Sequence, residues 1–149
     1  MNNYFKNNQE AEELVRGFLD LSLDAKKFNH QGHLTVAIWY LSWYPMDKAT
    51  ELIRENICQF NVAKGGENTD SGGYHETITQ LYMQIVDQFL ANKNNSHDLA
   101  HLANTLITSE MGERDYPLQF YSKERLFSVE ARRNFVEPDL KPVIPALQN

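Results

Sequence analysis

The sequence predicts an all-α fold: one domain over residues 1–149, a bundle of about five main helices with short C-terminal helices and an extended tail. Three observations carry this expectation. Apolar residues recur at spacings of three and four along most of the chain. Strand-like alternation of apolar and polar residues is absent. Glycine, proline and asparagine gather where one apolar stripe stops and the next begins.

Each element follows from local residues. "QEAEELVRGFLDLSLDA" places Leu14, Phe18, Leu21 and Ala25 on one helical face, with Glu10, Glu12 and Glu13 at the dipole-favoured start. A second helix begins at Asn29, a competent N-cap, and runs through "HQGHLTVAIWYLSW". Leu34, Ile38 and Leu41 form its stripe, and Val36, Trp39, Tyr40 and Trp43 widen it, so this helix is central. Pro45 ends it. "MDKATELIRENICQFNVA" is a third helix with Ala49, Leu52, Ile53, Ile57 and Phe60 inward. After the loop "KGGENTDSGG", a fourth begins near Tyr74 and carries Ile78, Leu81, Tyr82, Ile85 and Phe89. A fifth, capped by Ser96, carries Leu99, Leu102, Ala103 and Leu106. "MGERDYPLQFYS" reads as turns. Ser122 and Ser128 cap two short helices. The proline-rich end is an extended tail, and residues 1–8 and 141–149 are expected to be loosely ordered.

Composition limits function. With 14 Lys and Arg against 20 Asp and Glu, the formal charge is −6. That disfavours nucleic acid, which calls for a basic face, and gives no support for an acidic membrane surface. No stretch reaches the roughly 20 apolar residues of a membrane span. The single cysteine, Cys58, rules out an internal disulfide and reads as a small core residue. The start "MNNYFKNN" lacks a signal-peptide core, so a cytoplasmic setting is expected.

Two stretches could carry chemistry. In "FNHQGHL", His30 and His33 are three apart and face one way on a helix. In "GGYHETIT", His75 and Glu76 open the fourth helix, near amides that favour an anion. Brought together, these would line the pocket of a small helical enzyme between the second and fourth helices. His75, Glu76 and His33 are its candidate acid–base residues. His30, His33 and His75 are candidate ligands for a divalent transition metal. Tyr74, Thr79 and Arg125 are candidate substrate contacts, Arg125 for an anionic small molecule. Against a metal, Thr79 stands where HExxH needs histidine, and neighbours on a helix point about 100° apart. The alternative is a non-enzymatic binding module in which the His/Glu cluster is a hydrogen-bond network fixing helix register. An arginine that ties the C-terminal segment to Glu76 or to a helix C-terminus belongs to that reading. His97 and His101, at HxxxH spacing, read as surface residues.

Together, "FNHQGHL", "YHETIT", "YSKERLFSVEAR" and "FVEPDLKP" resemble the motifs of a small, uncharacterised bacterial family: FxHxxHL, YHETxT, YSxERLFSxEAR and FVEPDLxP. The resemblance spans roughly residues 10–143. It implies that His30, His33, His75, Glu76, Thr77, Thr79, Arg125 and Ser128 fall in shared motifs, whereas His97 and His101 do not. It carries over no catalytic role.

Overall fold

A computed structural model describes residues 3–92 and 98–143. Among these residues there are seven α-helices and no strand: α1 (Asn8–Leu19), α2 (His30–Trp43), α3 (Met46–Ala63), α4 (Glu76–Ala91), α5 (Leu99–Ile107), α6 (Lys123–Leu126) and α7 (Val129–Arg133). The first five form the bundle. None is long and apolar enough to cross a membrane.

α2 is the central helix, packed against α1, α3, α4 and α5. Its residues Leu34 to Ile38 are all buried, which is why its apolar residues occupy nearly every side. The Asn29 side chain caps it by accepting from the Gly32 amide at 2.9 Å. Its end comes at Tyr44, held extended ahead of Pro45. Gly32 is required between the two histidines: a Cβ there would lie 2.7 Å from the Lys27 carbonyl, where the incoming chain crosses the helix.

The main core lies among α1 to α5. A second, smaller core joins Leu81 and Ile85 of α4 to Phe120, Tyr121, Leu126, Ala131 and Val136. It fastens the C-terminal segment to the outer side of α4.

Three expectations need correction. α1 stops at Leu19, so Leu21 and Ala25 do not continue its stripe. Leu21 takes a left-handed φ of 67°. The amides of Leu21 and Ser22 reach back to Phe18 and Gly17 at 3.3 and 2.9 Å, closing a Schellman turn. Trp43 does not widen a buried stripe; it is 69% exposed. α5 is capped by Asp98, which accepts from the His101 amide at 2.9 Å; Ser96 and His97 lie outside the described residues. The described residues near the two chain ends make specific contacts. Phe5 is buried, and its amide and carbonyl both pair with the Asn104 side chain at 2.9 Å. Residues 134–143 run without a helix, as the prolines predict, but Tyr121 donates to the Val136 carbonyl at 2.6 Å and Asp139 accepts from the Ser122 amide at 2.8 Å.

Candidate functional site

A cavity of about 440 Å³ opens among α2, α3 and α4. Its size lies within the range usual for small-molecule sites, roughly 300–1,000 Å³. α2 contributes His30, His33, Leu34 and Ala37; α3 contributes Ile53, Ile57 and Asn61; Ile78, Thr79, Tyr82 and Met83 come from α4. Tyr74 and His75 line it from the loop before α4, Phe28 from the approach to α2, and Arg114 from the turn after α5. The walls are thus mainly apolar, with a few polar groups among them.

Of the sequence candidates, His30, His33, Tyr74, His75 and Thr79 share this cavity. Glu76 and Arg125 are not among its lining residues. The three histidines then divide by their hydrogen bonds. His75 is the N-cap of α4: its Nδ1 accepts from the Ile78 amide at 3.1 Å, and its Nε2 lies 2.8 Å from the Leu126 carbonyl. The carbonyl must accept, so the ring is neutral with the proton on Nε2. Both nitrogens are used, and no lone pair is left for a metal or for a substrate proton. His30 likewise places Nε2 3.0 Å from the Gly112 carbonyl. It stands edge-on to Tyr82, with ring centroids 5.6 Å apart. His33 is different. Its ring stacks on Phe28 at 3.8 Å, and neither ring nitrogen makes a hydrogen bond to a described residue.

Burial lowers the pKa of all three rings, since it penalises the imidazolium. For His33 the fall reaches about 4, with repulsion from His30 as the smaller cause. His33 is nonetheless accessible to solvent. The two facts agree if the ring looks into the cavity while protein surrounds it. Among the described residues no three His, Cys, Asp or Glu side chains are grouped closely enough to hold a metal ion. The expected His30/His33/His75 ligand set is therefore not assembled.

Glu76 is buried and fully engaged. Arg54 of α3 donates to it through Nε at 2.9 Å and Nη2 at 2.7 Å, Tyr74 Oη donates at 2.7 Å to the oxygen that Nε reaches, and Gln80 donates to the oxygen that Nη2 reaches. Burial pulls the carboxyl pKa upward, but these donors outweigh it and hold the group below its ordinary value. The expected arginine partner is present, but it comes from α3 instead of the C-terminal segment. Arg125 donates instead to the Glu137 carbonyl at 2.6 Å, steadying the tail. Arg132 reaches the carbonyls of Gly73 and Tyr74 at 3.0 and 3.2 Å, and Arg133 grips Asp70 with two bonds of 2.6 Å.

These contacts shape the loop that closes one side of the cavity. Gly73 has a φ of +81°, and a Cβ there would sit 2.3 Å from the Glu67 carbonyl, so the second glycine of "GGYHET" is obligatory. Thr77, fully buried, donates to the Asn134 carbonyl at 2.9 Å and accepts from the Val136 amide at 3.1 Å. The YHET stretch and the C-terminal motifs are therefore bonded to each other.

Three residues were not singled out from the sequence. Arg54 has no local signal, because its partner is 22 residues away. Asn56, buried, bonds the Tyr40 hydroxyl at 2.6 Å and the Phe18 carbonyl at 3.0 Å, tying α1, α2 and α3. Its signal was available: Ala49, Ile53, Asn56 and Phe60 follow a four-three-four spacing. Tyr82 stands in the sequence only as part of the apolar stripe of the fourth helix; it lines the cavity, and its hydroxyl is buried with no hydrogen-bond partner among the described residues. Cys58 is partly buried, and burial raises its thiol pKa, which suits an unreactive residue.

Fold and site together define an all-α bundle with a mainly apolar cavity against its central helix. No family model, curated protein or solved structure matches the chain.

Proposed function

We propose that the protein binds a small molecule in this cavity, with His33 as the group that hydrogen-bonds it. One observation carries the reading: of the three cavity histidines, His33 alone is left unbonded by described residues, while the others are tied to backbone carbonyls. A neutral imidazole offers one donor and one acceptor, and its low pKa keeps it neutral at pH 7. Stacking on Phe28 fixes its plane. No carboxylate is hydrogen-bonded to it, and a general base is ordinarily oriented by such a partner. Binding is therefore the better-supported chemistry, and proton transfer the lesser.

A second reading applies to His75 and Glu76. Their bonds are those of a structural network that sets the start of α4 against α3 and α6. The family resemblance fits this division. One motif supplies His33 and Phe28, the second supplies Tyr74 and Thr79, and the third anchors the second through Leu126 and Arg132.

The test is a screen of metabolite-sized compounds by protein-observed NMR, followed by calorimetry on the wild type, His33→Ala and the cavity-filling Thr79→Met. Ligands of the cavity should lose about tenfold or more in affinity in both variants, the scale of one well-made hydrogen bond or a blocked contact. If no compound that binds the wild type is affected by either substitution, the cavity is not the binding site.

A further inference from the structure

Among the described residues, Arg114 is the one charged side chain lining the cavity. The chain carries 20 acidic residues against 14 basic ones, yet no carboxylate of the described residues stands on these walls. Arg114 is exposed, which puts it where the cavity meets solvent. Although Glu113 and Asp115 flank it, it forms no ion pair or hydrogen bond with any described residue. An unpaired guanidinium presents a planar fork that matches a carboxylate. Behind it lie only uncharged groups: aliphatic walls from Leu34, Ile53, Ile57, Ile78 and Met83, and the neutral ring of His33.

We infer that the ligand is a small monocarboxylate with an apolar body, its carboxylate held by Arg114 at the opening and its body against the aliphatic wall. The inference rests on the reading of the cavity as a binding site and adds the charge class. A dianion is disfavoured, because a second charge would enter a space with no second cation. A cation would meet Arg114 at the opening, and among the described residues no carboxylate lines the cavity to hold it.

The test uses hexanoate, octanoate, phenylacetate and 4-phenylbutyrate beside their uncharged amides. Affinities are measured by calorimetry on the full chain. The wild type should bind the acids about tenfold or more tightly than the amides, the scale of one charge-assisted bidentate contact. Arg114→Gln should remove most of that preference and leave the amides within about twofold, while thermal unfolding stays unchanged because Arg114 makes no hydrogen bond or ion pair with a described residue. Thr79→Met and Ala37→Met should weaken both series. Amides that bind as tightly as acids, with both series sensitive to the cavity-filling variants, would overturn the charge class and leave the cavity reading intact. Acid preference that survives Arg114→Gln would overturn the role of Arg114. If neither series responds to filling the cavity, both the inference and the reading beneath it fail.

Discussion

Arg54 and Glu76 meet as a two-pronged pair, Nε to Oε1 at 2.9 Å and Nη2 to Oε2 at 2.7 Å, joining the middle of α3 to the first residue of α4. The Glu76 side chain is 11% exposed and that of Arg54 38%. Removing one partner of a buried pair costs about 3–5 kcal/mol. The partial exposure of Arg54 reduces that, so Arg54→Met should destabilise by about 2 kcal/mol. The double variant Arg54→Met/Glu76→Leu should lose clearly less than the sum of its singles. Urea unfolding midpoints, read at constant slope, decide this. Additive losses would show that the two side chains act separately.

His75 serves α4 at two places, and two substitutions separate them. Asparagine can still cap the helix but is too short for the Leu126 carbonyl, so His75→Asn should cost about 1 kcal/mol. His75→Ala loses both bonds and should cost about 2–3 kcal/mol. Equal losses in the two variants would mean that the link to α6, and not the cap, is what the ring contributes.

Tyr82→Phe should be neutral or stabilising, against the usual direction for a core tyrosine. A buried hydroxyl without a partner costs about 1–3 kcal/mol, and phenylalanine removes it without leaving a hole. A gain of up to about 1 kcal/mol is expected in chemical unfolding. A loss of similar size would show that the hydroxyl is bonded in solution, to water or to a ligand.

The histidines make stability fall in mild acid. His30, His33 and His75 all have pKa values depressed by burial. Between an unfolded value near 6.5 and the lower folded values, the unfolded chain binds more protons. Stability is therefore full above about pH 6.5 and declines as pH drops toward the folded values, about 4 for His33. Glu76, also depressed, adds its loss only below the ordinary carboxylate range. His33→Gln should flatten the decline between pH 6.5 and 4.5 by about 1 kcal/mol or less, because the accessible ring is partly screened. Unfolding midpoints across that range test it. An identical slope in wild type and variant would remove His33 from the account.

The helices were legible because their signals are local. Asn29, Ser122 and Ser128 cap the helices they precede, and Pro45 stops α2 where expected. The end of α1 was not legible, since a leucine occupies the left-handed position that glycine usually marks. Part of the site could be read as well. His30, His33, Tyr74, His75 and Thr79 do share one cavity. Their different roles could not be read, since each depends on a partner far along the chain: His30 on Gly112 and His75 on Leu126.

By itself the sequence determined an all-helical chain with a central second helix, a glycine-hinged entry to the fourth and a polar motif at the head of each. Periodicity, caps and obligatory glycines act over a few residues, so they need no knowledge of the fold. Only the tertiary structure decided which polar groups are spent and which remain. Arg54 takes Glu76, Arg125 turns to the tail, Arg114 is left at the cavity, and His33 is left unbonded by described residues. Hydrogen bonds act over about 3 Å. Which groups come within that reach is settled by packing between helices, and no spacing along the chain encodes it.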